Sequence, residues 1–292
     1  MIRMRILYYP GCTVKTTAKA YEKAAIGVLG EFGIEVVEMK GWVCCGVYPG
    51  LAKDNYYHLV APIRNLIYAQ EQKKKLGIEN EYLLTVCSMC FNTLKYANER
   101  YRESDEVRER VFYFIDDQPY YEARIRVVHF MEVMRDIVGI KNLRRKIMRP
   151  LKTIKAAPFY GCYLLRPEGI GIDNPENPTV MENIIRSIGA DAIDYPYKNQ
   201  CCGGYLVTKD PDAVWDRVYT IAKAAIEKGA NIFVTTCPLC AFNLEEGQKR
   251  NKEKLGRILP VFFEPELIAY AMEKEEYLEK DRREIISRIL GK

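Results

Sequence analysis

The ten cysteines of this chain fall into two sets of five that follow one plan. Each cysteine of the first set has a counterpart 150 or 157 residues further along, and no cysteine is left over. The sets are Cys12, Cys44, Cys45, Cys87 and Cys90, and Cys162, Cys201, Cys202, Cys237 and Cys240. A repeat of this length constrains the fold strongly, because both halves must then adopt one architecture. The sequence predicts two domains, 1–150 and 151–292.

The residues around the cysteines repeat as well. In both sets the first cysteine follows a glycine, a vicinal pair comes next as C-C-G, and C-x-x-C closes the set. The copies differ in one spacing: 41 residues separate Cys45 from Cys87, whereas 34 separate Cys202 from Cys237. The shared motifs indicate that both halves present their thiols in the same way.

Each half alternates short apolar runs with stretches of helical composition. In the first half, strands are expected over 5–9, 35–39 and 82–86, with helices over 14–32 and 56–76. In the second half, a strand is expected over 191–195. This alternation predicts an α/β fold with two pseudo-symmetric Rossmann-like halves, each a mainly parallel sheet flanked by helices. The cysteine motifs follow the strands, so we expect them at the carboxyl ends of the strands, where α/β sheets place their ligands.

Composition and charge narrow the function classes. A net charge of +5 with scattered basic residues disfavours nucleic-acid binding, while it suits a small anionic substrate. No apolar run approaches the roughly 18 residues of a membrane span. The N-terminal residues are typical of a first strand rather than a signal peptide, so a cytoplasmic location is expected, where structural disulfides are uncommon.

Five thiols per half exceed the needs of the simpler cysteine sites. Disulfides are disfavoured by the expected compartment and by the odd count in each half. A zinc site takes four ligands and would leave Cys12 and Cys162 unused. Cubane iron–sulfur clusters also take four cysteines, usually three of them in one tight run. The count therefore indicates, in each half, a cluster with five thiolate ligands or a cluster with four ligands and one catalytic thiol.

The cysteine pattern resembles the CCG-domain family and, within it, the B subunit of heterodisulfide reductase. The likeness rests on the order of single cysteine, C-C-G and C-x-x-C, and on Y-Y-P-G-C-T, G-C-Y-L-L-R-P, Q-C-C-G-G and T-C-P-L-C. It implies two non-cubane 4Fe–4S clusters, one on each set of five cysteines, with no flavin or nicotinamide on this chain. It also implies reductive cleavage of a disulfide of the coenzyme M–coenzyme B type, as in methanogenesis.

The resemblance further implies partners in a multi-subunit complex. Electrons would arrive through the ferredoxin-like C subunit of the reductase from its flavin-containing A subunit, which a hydrogenase or a formate dehydrogenase can supply. The chain itself lacks the C-x-x-C-x-x-C-x-x-x-C-P runs of an electron-relay ferredoxin, so a partner must deliver the electrons.

Four residues outside the cysteine sets are candidates for the site. Lys15, Arg166 and Lys198 lie near cysteine motifs and are candidate ligands for an anionic substrate, although most such cations are simply solvated. His129 lies at the end of a strand expected over 127–130 and is a candidate proton donor, because histidine titrates near neutral pH.

Two other functions are compatible with the residues. One is iron–sulfur electron transfer within a lactate, glycolate or glycerol-phosphate oxidising complex, since such relatives carry the same cysteine signature. The other is a zinc-stabilised scaffold without chemistry, in which Cys12 and Cys162 would be dispensable.

Overall fold

Two four-stranded parallel sheets form the centre of the protein in a computed structural model, which describes residues 4–47 and 56–291. The first sheet, in the order β2-β1-β3-β4, consists of β1 (Met4–Tyr8), β2 (Ile34–Glu38), β3 (Tyr82–Thr85) and β4 (Arg126–His129). The second, in the order β6-β5-β7-β8, consists of β5 (Lys155–Phe159), β6 (Asp191–Ala192), β7 (Ile232–Thr235) and β8 (Val261–Phe263). The expected α/β fold with two pseudo-symmetric halves is confirmed.

Helices flank both sheets. Those of the first half are α1 (Cys12–Thr16), α2 (Lys19–Glu31), α3 (Tyr57–Leu76), α4 (Ser88–Glu103), α5 (Asp105–Phe114), α6 (Phe130–Glu132) and α7 (Ile140–Arg145). Those of the second half are α8 (Val180–Ser187), α9 (Pro211–Glu227), α10 (Pro238–Arg250), α11 (Lys252–Leu255), α12 (Glu264–Ala271) and α13 (Lys280–Ile289). Across the described ranges, no helix combines the length and the apolar character that a membrane crossing requires.

Local hydrogen bonds explain where several elements end. The helix expected over 14–32 is divided into α1 and α2, because the N–H groups of Thr17 and Ala18 both donate to the Thr13 carbonyl and so interrupt the regular ladder. Helix α9 begins with an Asp210 side chain that accepts from the Ala213 N–H, a regular N-cap. The interruption after α1 keeps that helix short, so the first cysteine lies on a separate helical turn.

Helices of the two halves pack against each other at the boundary between them. Helix α12, which follows the last strand of the second half, packs against α2 of the first half, and α7 packs against α8 in the other direction. Close beside this contact, a Cβ on Gly27 of α2 would lie only 2.4 Å from the Tyr277 ring, whose hydroxyl donates to Glu31. These contacts join the two halves through helices that follow the last strand of each sheet.

The boundary between the halves passes through the starts of both C-x-x-C motifs. The Ser88 hydroxyl lies 2.8 Å from the Thr236 hydroxyl, and the Ser88 N–H donates to the Thr236 carbonyl at 3.4 Å. The fully buried Tyr21 hydroxyl lies 2.5 Å from the Val86 carbonyl and 3.3 Å from the Thr236 carbonyl. These bonds bring the loops after β3 and β7 together.

Candidate functional site

The cysteines lie beyond the carboxyl ends of the strands, the edge that the sequence predicted. Cys87 and Cys237 are the N-cap residues of α4 and α10, and Cys90 and Cys240 lie in the first turns of these helices. The positive end of a helix dipole favours the thiolate form of a cysteine at this position.

The first set contains an outer and an inner pair of thiols. The Sγ atoms of the exposed Cys12 and Cys44 are 3.9 Å apart, and those of the buried Cys45 and Cys90 are 3.6 Å apart. Two thiolates on one tetrahedral metal, with bonds of about 2.3 Å, lie about 3.8 Å apart, so both spacings suit sulfurs that share a metal. Within the described ranges, no three ligating side chains form a ready single-ion site.

The second set repeats this pairing. Cys162 interacts with Cys201, and Cys202 interacts with Cys240. The hydrogen bond between Cys162 and Cys201 raises the pKa of Cys162 well above its ordinary value and, together with the Gly203 N–H, lowers the pKa of Cys201 to about 6. A thiol with this pKa is largely a thiolate at neutral pH, and the thiolate is the form that binds metal.

The remaining cysteine of each set lies at the boundary between the halves. The buried thiols of Cys87 and Cys237 interact with each other across this boundary. The two sets are therefore adjacent, and groups bound to them would be neighbours.

Two glycines allow the backbone to approach the sulfurs. Gly11 has a φ of 78°, and a Cβ there would lie 2.8 Å from the Cys90 Sγ. Gly161 repeats the arrangement with a φ of 67° and a distance of 3.1 Å to the Cys240 Sγ. Both positions therefore favour glycine for backbone conformation and for space.

N–H groups point at the sulfurs of the second vicinal pair. The Gly203 N–H donates to the Cys201 Sγ at 3.3 Å, and the Gly204 N–H donates to the Cys202 Sγ at 3.4 Å. The buried Asn243 side chain also donates to the Cys202 Sγ at 3.4 Å. Sequence reasoning did not assign Asn243 a role, although F-N follows C-x-x-C in both halves and was a usable signal.

We expect Gly11→Ala to lose about half of any bound metal during anaerobic gel filtration, because the new Cβ displaces a sulfur of one set only. Gly41→Ala is the matched control, since Gly41 has a φ of 68° and nothing within 4 Å of the added Cβ. Gly41→Ala reproduces the positive φ, but Gly11 has a ψ of 161° in an essentially glycine-only region, so Gly11→Ala carries the additional backbone strain of that region. Equal metal retention in the two variants would contradict a role for Gly11 in shaping the site.

The three candidate substrate cations each contact a carboxylate. The shortest contacts are 2.6 Å for Lys15–Glu38, 2.8 Å for Lys198–Glu182 and 2.8 Å for Arg166–Glu176. A paired cation offers less to an anionic substrate than a free one, because its partner must be displaced or neutralised. Their role in substrate binding stays a prediction.

His129 is completely buried beneath the loop after β3. Its Nε2 lies 2.8 Å from the Val86 carbonyl, and its Nδ1 accepts the Met131 N–H at 3.3 Å. Burial lowers the pKa of His129 to about 4, so the ring is neutral at neutral pH. This geometry favours a role in positioning the Val86 loop, and its role as a proton donor stays a prediction.

A cavity of about 570 Å³ lies against the first cysteine set. All five cysteines of that set line it, together with second-half side chains that include Pro238, Leu239, Phe242, Glu245, Glu266 and Arg282. Its volume lies within the roughly 300–1,000 Å³ of small-molecule pockets. The cavity beside the second set measures only about 40 Å³. Of these two cavities beside the cysteine sets, the one at the first set, between the two halves, has room for a small molecule.

This pair of five-thiol sites on two repeated α/β halves places the chain in a defined class of cysteine-rich proteins. The CCG cysteine-rich domain matches residues 6–95 and 156–245, and the chain belongs to this family.

Relatives of known name extend over most of the chain. It is 28% identical to a protein of Archaeoglobus profundus that is named for its likeness to the B subunit of heterodisulfide reductase, over 90% of this chain and 88% of the relative. It is 25% identical to the B subunit of the ferredoxin/F420H2-dependent CoB-CoM heterodisulfide reductase of Methanosarcina acetivorans, over 92% and 89%. The resemblance to the B subunit of heterodisulfide reductase is confirmed.

Two further comparisons concern a different complex and the fold. The chain is 29% identical to the membrane anchor subunit of the 8-methylmenaquinol:fumarate reductase of Wolinella succinogenes, over 91% of each chain. A crystal structure of a hypothetical protein from Helicobacter pylori matches with a TM-score of 0.72 at 14% identity, which shows a shared fold. The match covers 100% of this chain, which spans about half (51%) of that solved chain.

Proposed function

We propose that this chain reduces a small disulfide to two thiols, as the catalytic subunit of a complex of the heterodisulfide reductase type. The proposal places one non-cubane 4Fe–4S cluster on each set of five cysteines. The observation that carries it is the adjacency of two complete five-thiol sets, which interact through Cys87 and Cys237. Disulfide reduction takes two electrons, and two adjacent one-electron centres can divide that load.

The residues present fit iron–sulfur clusters. All ten cysteines are free thiols, Gly11 and Gly161 keep space beside the sulfurs, and N–H groups donate to Cys201 and Cys202. Hydrogen bonds to sulfur of this kind tune the reduction potential of iron–sulfur centres. When bound, the clusters would supply electrons singly to the disulfide.

The chain's own residues would hold the substrate beside the first set. The apolar side chains of Pro238, Leu239 and Phe242 line the cavity and would contact a molecule bound there. Apolar surroundings strengthen the electrostatic interactions of the few polar groups on the cavity walls.

We further propose that the electrons come from a ferredoxin-like partner and a flavin-containing partner of the same complex, and that the complex is cytoplasmic. The name of the Methanosarcina acetivorans relative, which includes ferredoxin and F420H2, supports an electron supply from outside the chain.

The second candidate function is iron–sulfur electron transfer without disulfide cleavage. The 29% identity to a component of a menaquinol:fumarate reductase favours it, because that relative belongs to a complex with a different reaction in its name.

The test is metal analysis followed by an assay on the chain purified without oxygen. We expect about eight irons and eight acid-labile sulfides per chain, no zinc, and thiol production when a reduced viologen supplies electrons to a panel of low-molecular-weight disulfides. Full iron content without thiol production would favour the electron-transfer function. Zinc in place of iron would overturn both functions in favour of a scaffold.

A further inference from the structure

Glu245 brings a carboxyl group to the cavity at the first cysteine set. It lies on α10, five residues after Cys240, and it is half-buried. Although it belongs to the second half, it lines the same cavity as the five cysteines of the first half. A sphere of about 570 Å³ is only about 10 Å across, so a substrate bound there beside the group that the five cysteines hold lies close to Glu245.

The other charged groups of this wall are already engaged. The Arg282 guanidinium donates to both carboxylate oxygens of Glu266, at 2.7 and 2.8 Å, and also to the Val261 carbonyl at 2.5 Å. The nearby Lys249, which is not part of the wall, contacts Glu246 through its ammonium group at 2.6 Å. The Glu245 carboxyl, in contrast, has neither a hydrogen bond nor an ion pair within the described residues.

The surroundings of Glu245 favour its protonated form. Burial raises the pKa of its carboxyl above the ordinary range; Glu266 and Glu246 act in the same direction, and Arg282 and Lys249 oppose them. A carboxyl group with a raised pKa keeps its proton to a higher pH than an exposed one does, and can then act as a general acid.

We propose that Glu245 is the acid that protonates a substrate sulfur when the disulfide is reduced, an inference that rests on the proposed function. Two electrons from the external one-electron donor break the S–S bond and leave two thiolates. One thiolate takes the proton of Glu245, and the other takes a proton from solvent. The Glu245 carboxylate then recovers its proton from solvent, so that a disulfide, two electrons and two protons give two thiols.

The repeat is broken at this position, which makes the acid specific to one half. The residue five positions after Cys90 is Lys95, whose ammonium lies 5.0 Å from the centre of the Phe91 ring. At this position the second half carries the carboxyl of Glu245, which lines the 570 Å³ cavity at the first set. The cavity beside the second set measures only about 40 Å³. The position and the space for substrate therefore coincide.

The test compares Glu245→Gln with wild-type protein in the viologen-linked assay between about pH 6 and pH 9. A general acid works only when protonated, so the wild-type kcat falls as pH rises through the Glu245 pKa. We expect Glu245→Gln to lower kcat about 100-fold at the acidic end and to lose that pH dependence, with KM within about twofold. Glu253→Gln, the same change at an exposed position of α11 outside the cavity, should match wild type.

The outcomes separate the inference from the proposed function. An active wild type with a Glu245→Gln variant of equal kcat and pH profile overturns the role of Glu245 alone. A wild type with full iron content and no thiol production overturns the proposed function and this inference together. An infrared pH titration of the two proteins needs no turnover. We expect a carboxylic-acid band in wild type that persists to higher pH than the bands of exposed carboxyl groups and is missing in Glu245→Gln; if the two proteins show the same bands, the inference is overturned.

Discussion

Cys12→Ala and Cys162→Ala are each expected to retain about four of about eight irons per chain, because each variant removes one ligand from one of two sets. The rate of disulfide reduction should fall on the order of 100-fold or more in both, since the two-electron reaction loses one of its two centres. Cys12 is exposed and Cys162 is half-buried, so neither truncation leaves a large cavity in the core. Iron and sulfide analysis and the viologen-linked thiol assay, on protein kept free of oxygen, measure both effects.

The neighbouring side chains provide controls for these two variants. Thr13→Ser, which keeps the hydroxyl beside the Cys12 sulfur, and Tyr163→Phe change the residue after each cysteine, and both should keep full iron content and activity. If Cys12→Ala and Cys162→Ala keep them as well, four thiols suffice in each half and the five-ligand interpretation is wrong. A zinc scaffold would also tolerate both replacements, so the metal content must be measured beside the rate.

The fold could be predicted well from the sequence, because the repeat and the strand periodicity can be read from the residues without knowledge of their contacts. The strand expected over 82–86 is Tyr82–Thr85, and the cysteines after it lie at the predicted edge of the sheet. The strand expected at 191–195 is shorter, Asp191–Ala192. The Ile193 N–H still donates to the Ala156 carbonyl at 2.8 Å, and the regular pairing ends there.

The contacts of the site depend on residues that are distant in the sequence and could not be predicted from it. Lys15 was a candidate for substrate binding, but its partner Glu38 lies on β2, which only the folded sheet brings close. The packing of α7 and α12 against helices of the other half has no sequence signal of its own. Glu245 had one, because the repeat places Lys95 at the equivalent position and a charge reversal in a repeat marks a local difference between the halves.

The buried Asn92 links the two halves beside the second cysteine set. Its side-chain amide donates to the carbonyls of Tyr163 and Arg166, at 2.7 and 2.6 Å, in the segment that follows Cys162. Asn98 lies on the same helix and is also buried, but its amide donates within the first half, to the Ile125 carbonyl at 2.8 Å. The two asparagines therefore separate a contact between the halves from a contact within one half.

Asn92→Leu and Asn98→Leu should each lower the free energy of unfolding by about 1–3 kcal/mol, because each removes donors from main-chain carbonyls. Hydrogen–deuterium exchange distinguishes them: Asn92→Leu should accelerate exchange in 160–170, and Asn98→Leu should accelerate it in 120–126 instead. Because 160–170 contains Cys162, we expect Asn92→Leu also to release iron from the second set faster than Asn98→Leu does. Identical exchange patterns in the two variants would show that the first half does not support the second site through Asn92.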